Sequence, residues 1–257
     1  MANLVVCAVF KNEAHILEEW IQHYLCRGVD HIYLVNDFST DDYEKSIGRF
    51  PADKVTLFHN DIVTRDVGRQ LMIYDKYFAP LLVRSKWMAI LDLDEFLYSP
   101  TQEDIVTVLD NTGASQVKVD WLHFGSNGHR TQPASAVAGF TKRAAFSTSD
   151  EFYSFKSIFQ TRAIVAFGIH QHVVNGPSVH FQYVEGVGAG ASLVINHYNT
   201  QSYDFYINVK GKRGDINNWY DAQKLSRDEA RFIAYDRNEV EDLRLIEQNK
   251  GLSAFAE

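Results

Sequence analysis

Asp92-Leu93-Asp94 stands directly after the apolar run Trp87 to Leu91 and carries the most pointed chemistry in this chain. Carboxylates at i and i+2 point the same way while the backbone stays extended. Two such oxygens suit a hard divalent cation that takes its remaining ligands from water and phosphate. An isolated pattern of this kind is as readily an acidic turn, so its weight depends on where the chain puts it. His170 and His172 form a second suggestive pair, on one face if they lie in a strand. With no cysteine and few carboxylates beside them, they read as hydrogen-bonding or packing groups rather than as a zinc site.

The elements that must position Asp92 and Asp94 are legible in the first hundred residues. Leu4 to Phe10 is a continuous β-branched and apolar run, the mark of a strand covered on both faces. Asn12 is placed as a helix N-cap, and Leu17, Trp20, Ile21, Tyr24 and Leu25 follow helical spacing up to Gly28. A second strand spans His31 to Val35, and Ser39 with Asp42 predicts a capping box for the next helix. Val55 to Phe58 is a third strand, and Val67 to Leu81 a third helix ending near Pro80. Trp87 to Leu91 is the fourth strand. The β-α-β-α-β-α-β order predicts an α/β fold with a mostly parallel sheet flanked by helices. Ligands in such folds bind beyond the carboxyl ends of the strands, where Lys11-Asn12-Glu13, Asn36-Asp37 and Asp92-Leu93-Asp94 all fall.

After Asn111 the texture changes, with eleven of the 15 glycines between Gly113 and Gly214. Short strands over Ser115 to Val119, Phe181 to Val184 and Leu193 to Ile195 predict a smaller mixed sheet with long loops. Gly186 to Gly190 reads as a turn. From Ala222 to Asn249 the composition is helical, with Leu225, Phe232, Val240, Leu243 and Ile246 as the buried stripe. The expected organisation is a nucleotide-binding half over 1–112, an acceptor half over 113–215 and a helical tail over 216–257.

Composition narrows the function. A net charge of -8 argues against a general nucleic-acid binder, whose affinity rests on Lys and Arg. It does not exclude a nucleotide, because a bound cation inverts the local charge. Two cysteines cannot build a disulfide framework or a four-thiolate zinc site, and no apolar run approaches a membrane span. A cytoplasmic or membrane-peripheral location is expected.

Several ordered segments together resemble glycosyltransferase family 92 and its bacterial and viral relatives. They are Phe10-Lys11-Asn12-Glu13 with Glu19-Trp20, Gly28 to Tyr33, Asn36 to Asp41, and Trp87 with Asp92 to Leu97. Phe124 to His129, Asn196-His197-Tyr198, Ser202 to Phe205, and Lys210, Arg213 and Gly214 continue the pattern. The resemblance covers residues 4–215 and implies a GT-A fold and a nucleotide-sugar donor, usually a UDP-sugar with Mn²⁺ or Mg²⁺. It places Asp37 at the nucleotide base and Phe10, Lys11 and Asn12 along the same pocket, with Arg69 and Gln70 facing the donor. Asp92, with Leu93 beside it, would meet the ribose or a metal-bound water, and Asp94 would bind the cation. His197 would close the metal site from the C-terminal side.

Glycosyl transfer releases a diphosphate, so negative charge grows on the leaving oxygens and cations must meet it. Lys156, Lys210 and Arg213 are the candidates. A sugar needs hydrogen-bonding groups and a flat apolar face, which Trp121, His123, Asn127 and His129 supply, with His170 on the acceptor side. Inversion, toward which the resemblance leans, also needs a base for the acceptor hydroxyl. Asp150-Glu151 is the acidic pair in the acceptor half. The expected function is therefore hexose transfer to a glycan hydroxyl. Two rival readings are a haloacid-dehalogenase-type phosphatase, with Asp92 as nucleophile, and a non-catalytic carbohydrate-binding protein. Against the first, Phe96 stands where that family carries Thr or Val, and no Asp-Asp pair follows Asp94. Against the second, a binding module has no need of Asp37, Asp92 and Asp94 at one sheet edge.

Overall fold

In the computed structural model, residues 1–64, 66–185, 192–214, 216–217 and 227–250 are described. The first half runs β1 (Ala2–Phe10), α1 (Ala14–Leu25), β2 (His31–Asn36), α2 (Tyr43–Ile47), β3 (Val55–His59), α3 (Arg69–Tyr77), β4 (Ser85–Ile90), β5 (Glu95–Tyr98) and α4 (Ile105–Asn111). It continues through β6 (Gln116–His123), α5 (Ala136–Gly139), β7 (Lys142–Arg143), β8 (Phe155–Gln160), β9 (Ile164–Ala166), β10 (Val173–Val174), β11 (Ser178–Phe181) and β12 (Val194–His197). The last elements are α6 (Tyr203–Phe205), a π-helical turn (Tyr206–Lys210), α7 (Gly211–Arg213), α8 (Glu229–Tyr235), β13 (Val240–Glu241) and α9 (Arg244–Asn249).

One sheet of nine strands, ordered β3-β2-β1-β4-β8-β6-β12-β5 with β11 added beside β6, runs through both halves of the chain. β3, β2, β1 and β4 are parallel neighbours, as the alternating pattern requires. β8 then enters antiparallel between β4 and β6, and β5 pairs antiparallel with β12 at the far edge. The sheet is therefore mixed, and the strands expected to form a separate smaller sheet extend the first one. The reason lies in connection length: Glu95–Tyr98 follows β4 too closely for a parallel crossover, which needs a dozen or more residues.

β1 shows why its run is apolar throughout. Leu4, Val6, Ala8 and Phe10 pack with Leu17, Trp20, Ile21 and Tyr24 of α1 in one core layer. Val5, Cys7 and Val9 pack with Ile73, Tyr74 and Phe78 in the other. Successive side chains leave a strand on opposite faces, so a strand between two helix layers has no polar positions. Cys7 and Cys26 are free thiols, Cys7 fully buried.

Three local expectations change. Asn12 does not cap α1; it adopts a left-handed conformation (φ 53°) and its side chain accepts from the Thr40 amide at 2.7 Å, pinning the β1–α1 loop to the β2–α2 loop. Asn tolerates that conformation better than most residues. Ser39 is drawn into the same lock, its hydroxyl accepting from the Asn12 amide at 2.9 Å, so no capping box forms and α2 starts at Tyr43. The C-terminal segment is not one helix: α8, β13 and α9 follow one another, with Phe232 and Leu245 buried while Leu243 is exposed. β13 pairs with β7, which interrupts the helical period the composition suggested. Gly186 to Gly190 and Leu225 lie outside the described residues. No helix among the described residues is long and apolar enough to cross a membrane.

Candidate active site

A cavity of about 360 Å³ opens where β1, β2 and β4 end, lined by Phe10, Lys11, Glu13, Asp37, Gln70, Asp92, Asp94, Trp121, His170, His197, Lys210 and Arg213 among others. The strand ends supply the acidic residues; Trp121 on β6, His197 on β12, His170 after β9, and Lys210 and Arg213 after β12 supply the rings and cations. Residues far apart in sequence therefore face one another across the strand ends, some from the sheet and some from the helical turns and loops beside it.

The Asp92–Asp94 turn is held from below by α1. The Trp20 indole donates to the carbonyls of Asp92 and Glu95 at 3.1 and 3.0 Å. The Tyr24 hydroxyl donates to the Glu95 carbonyl at 2.8 Å and accepts from the Leu97 amide at 2.9 Å. The Glu95 carboxyl accepts from the Asp92 amide at 3.0 Å, and the Tyr198 amide donates to the Asp94 carbonyl at 2.7 Å. Leu93 points into the core between the two aspartates. With its backbone so engaged, the turn aims Asp92 and Asp94 into the cavity.

Two buried lysines meet these carboxylates. Lys156 on β8 lies 3.0 Å from Asp92 and 3.5 Å from Glu95. Lys210, at the end of the π-helical turn, lies 2.5 Å from Asp94 and donates to the Asn199 carbonyl at 2.7 Å. Burial alone would raise the Asp94 carboxyl, but Lys210 and His197 outweigh it and hold it well below the usual carboxylate range. Glu95 goes the other way: burial pushes it well above that range, against the pull of Lys156.

Asp37 is bound by Arg69 through both carboxylate oxygens, one contact at 2.9 Å, and accepts from Asn60 at 2.7 Å. Arg69 also donates to the carbonyls of Ile62 and Ile216, so one guanidinium ties three loops together. Gln70 lines the cavity and donates to the Tyr74 hydroxyl at 2.8 Å. Arg213 donates to the Lys11 carbonyl and to Glu13 at 3.0 Å, closing the cavity's rim.

Whether these residues suit a divalent cation can be tested on distances. The His197 Nε2 lies 3.5 Å from the Asp94 Oδ1, near the roughly 3–3.5 Å expected between two ligands each about 2.1 Å from a shared ion. The second Asp94 oxygen belongs to Lys210. No group of three or more His, Cys, Asp or Glu able to hold a metal occurs among the described residues. The donor set thus fits a cation that takes one carboxylate oxygen and one imidazole nitrogen from the chain and the rest from phosphate and water.

The remaining candidates divide between this cavity and other places. Asn12 lines an adjacent cavity, and the Phe10 ring is buried edge-on against Tyr43. Trp121 faces the cavity, its ring tilted against that of His197 with the centroids 4.2 Å apart. His123 lies behind Trp121, its Nε2 bonded to the Phe152 carbonyl at 2.8 Å; burial, aided by His197, pushes its pKa down to about 3. Asn127 locks a turn through Thr141 and Lys142, and His129 bonds the Gly139 carbonyl, both away from the cavity. Asp150 pairs with Arg237 and accepts from the Phe152 amide, and Glu151 is exposed; neither lines the cavity. His170 does, whereas His172 is buried on Phe159, so the two do not share a face. Glu13, expected at the strand edge but given no role there, lines the cavity, as do Asn199, Ile216 and Arg227, which were not expected. Glu13 stands inside the Phe10–Glu13 motif, where its position could have flagged it; no spacing marks the others.

The glycosyltransferase family 92 model matches residues 81–242. A glycosyltransferase family 92 protein of Ricinus communis is 26% identical over 217 residues, covering 79% of this chain and 36% of the relative. One from Oryza sativa subsp. japonica is 26% identical over 256 residues, covering 93% and 41%. The chain thus spans well under half the length of these relatives. Among solved structures, the crystal structure of S. aureus TarS 1-349 is similar at a TM-score of 0.39 and 15% identity, covering 62% of this chain and 47% of that one. With its family-wide match over residues 81–242, the chain belongs to glycosyltransferase family 92.

Proposed function

We propose that this chain is a GT-A-type glycosyltransferase that moves a sugar, in the first instance a hexose, from a UDP-sugar to a glycan hydroxyl. The observation that carries the reading is the meeting of Asp37, Asp92, Asp94, His197, Lys210 and Arg213 around one cavity at the strand ends. Asp37, fixed by Arg69, presents a carboxylate edge that can accept from a nucleobase N–H. Asp92 stands where a ribose hydroxyl can donate to it. Asp94 and His197 would hold Mn²⁺ or Mg²⁺, which when bound supplies Lewis-acid stabilisation of the leaving diphosphate. Lys210 and Arg213 add fixed positive charge to the same side of the cavity. Trp121 offers a flat face to the sugar. The proposed organisation keeps the donor nucleotide with the first half of the chain and the acceptor with the second.

The test is calorimetric titration with UDP, GDP and dTDP, with and without Mn²⁺. UDP is expected to bind at least tenfold tighter with Mn²⁺, and Mn²⁺ alone to bind weakly because the chain supplies only two ligands. Asp94→Asn should abolish the Mn²⁺ enhancement. Absence of nucleotide binding, or an enhancement that survives Asp94→Asn, would overturn the reading. Asp92-dependent hydrolysis of p-nitrophenyl phosphate would replace it with the phosphatase reading.

A further inference from the structure

We infer that His170, on the segment between β9 and β10, is the general base that takes the proton from the acceptor hydroxyl. The inference rests on the glycosyl-transfer reading above and deepens it by assigning the one catalytic role that reading leaves open.

Carboxylates are the obvious bases in such a cavity, and here each is already committed to a cation. Glu13 pairs with Arg213, Asp37 with Arg69, Asp92 with Lys156 and Asp94 with Lys210. A proton taken by any of them would leave its paired cation without a counter-charge. His197 turns its Nε2 toward Asp94. Among the described cavity-lining residues, His170 is left.

Its geometry suits the task. The Nδ1 lies 3.2 Å from the Phe155 carbonyl, which can only accept, so Nδ1 carries the proton. The Nε2 lone pair is thereby left available, and no described residue bonds it. The Ser154 hydroxyl lies 3.3 Å from the same Nδ1, and the Ser157 hydroxyl donates to the His170 carbonyl at 2.7 Å, which anchors the residue at both ends. The Trp121 ring stands 5.2 Å from His170 and 4.2 Å from His197, so a sugar resting beside that ring has both His170 and the metal-side groups as neighbours. Partial burial and the nearby Lys156 lower its basicity, against the Phe155 carbonyl and Asp92, and the net lowering favours the neutral imidazole a base must be.

In the step assigned, the acceptor oxygen attacks the anomeric carbon as its proton passes to Nε2. The new C–O bond forms while the bond to the diphosphate oxygen breaks. The electron pair of that bond leaves with the diphosphate, and the imidazolium returns its proton to solvent.

The experiment measures UDP release from UDP-glucose, UDP-galactose and UDP-N-acetylglucosamine with Mn²⁺, using water and methyl glycosides as acceptors, beside calorimetric UDP binding. His170→Ala is expected to bind UDP within twofold of wild type and to lose turnover by about 10²–10⁴-fold. Added imidazole should restore part of that loss and leave the wild type unaffected. His170 is exposed, so an unchanged melting temperature confirms that folding is not in play. Turnover near wild type, a parallel loss of UDP affinity, or no response to imidazole overturns the assignment of His170 alone. A wild-type chain that neither binds UDP nor releases it from any donor overturns the transfer reading itself.

Discussion

Arg69 and Asp37 show how the site's residues can be bound to the protein's stability. Both side chains are almost wholly excluded from solvent, at 1% and 3% exposure. The forked Arg69 guanidinium meets both oxygens of the carboxylate, so neither charge is buried without its partner. Removing the cation leaves the charge without compensation, which typically costs about 3–5 kcal/mol. Arg69→Met is therefore expected to lower the urea unfolding free energy by about that amount. Adding Asp37→Leu should recover most of it, since an apolar pair of similar bulk needs no ion. Nucleotide binding should be lost in both variants, so stability and binding separate. Arg69 was legible in sequence only as a polar residue facing the donor. Its partnership with Asp37, 32 positions earlier, depends on α3 packing beside β2, and no local spacing records that.

The elements around Asp92 and Asp94 were legible for a related reason. Strands buried on both faces and a helix with a regular apolar stripe are local patterns, so the β1–α1–β2 and β4 frame could be read from periodicity. What periodicity hides is the polar edge of α1. Trp20 and Tyr24 sit in its buried stripe and read as core, yet their polar atoms carry the Asp92–Asp94 turn. Tyr24→Phe deletes one hydroxyl, strands the Leu97 amide and removes a donor from the Glu95 carbonyl. The expected cost is about 1–3 kcal/mol in urea unfolding, together with weaker UDP binding in the presence of Mn²⁺. Tyr153→Phe is the control: its hydroxyl donates to buried Asp120 at 2.9 Å, away from the cavity. It should cost stability and leave nucleotide affinity unchanged. Equal losses of affinity in both variants would show that α1 has no special hold on the turn.

At the scale of the whole molecule, the sheet is what sequence reading got least complete. A mostly parallel sheet followed by a smaller one suits the change of texture after Asn111, but β8 inserts between β4 and β6 and makes the two continuous. Strand insertion depends on which edges remain unpaired, a property of the assembled fold. Because β8 also carries Lys156, the second half completes the first half's charge balance around Asp92. Such sharing predicts that protonation events in the second half register in global unfolding. His172 is buried on Phe159, and its Nδ1 accepts from the Gly168 amide at 3.2 Å, which requires that nitrogen to be unprotonated. Burial, with Lys156, pushes its pKa down to about 3 from the ordinary 6.5, and His123 is depressed to a similar value. Between those two limits the unfolded chain binds protons that the folded chain refuses, so stability is full above pH 6.5 and falls as pH is lowered toward 3. Each histidine contributes a slope of about 1.4 kcal/mol per pH unit. Urea unfolding between pH 7 and 4 should show one transition whose midpoint drops steadily with acid. His172→Phe should remove one proton's share of the slope while keeping the ring contact with Phe159. An unchanged slope would mean that His172 is protonated in the folded protein, or that its segment opens without the sheet.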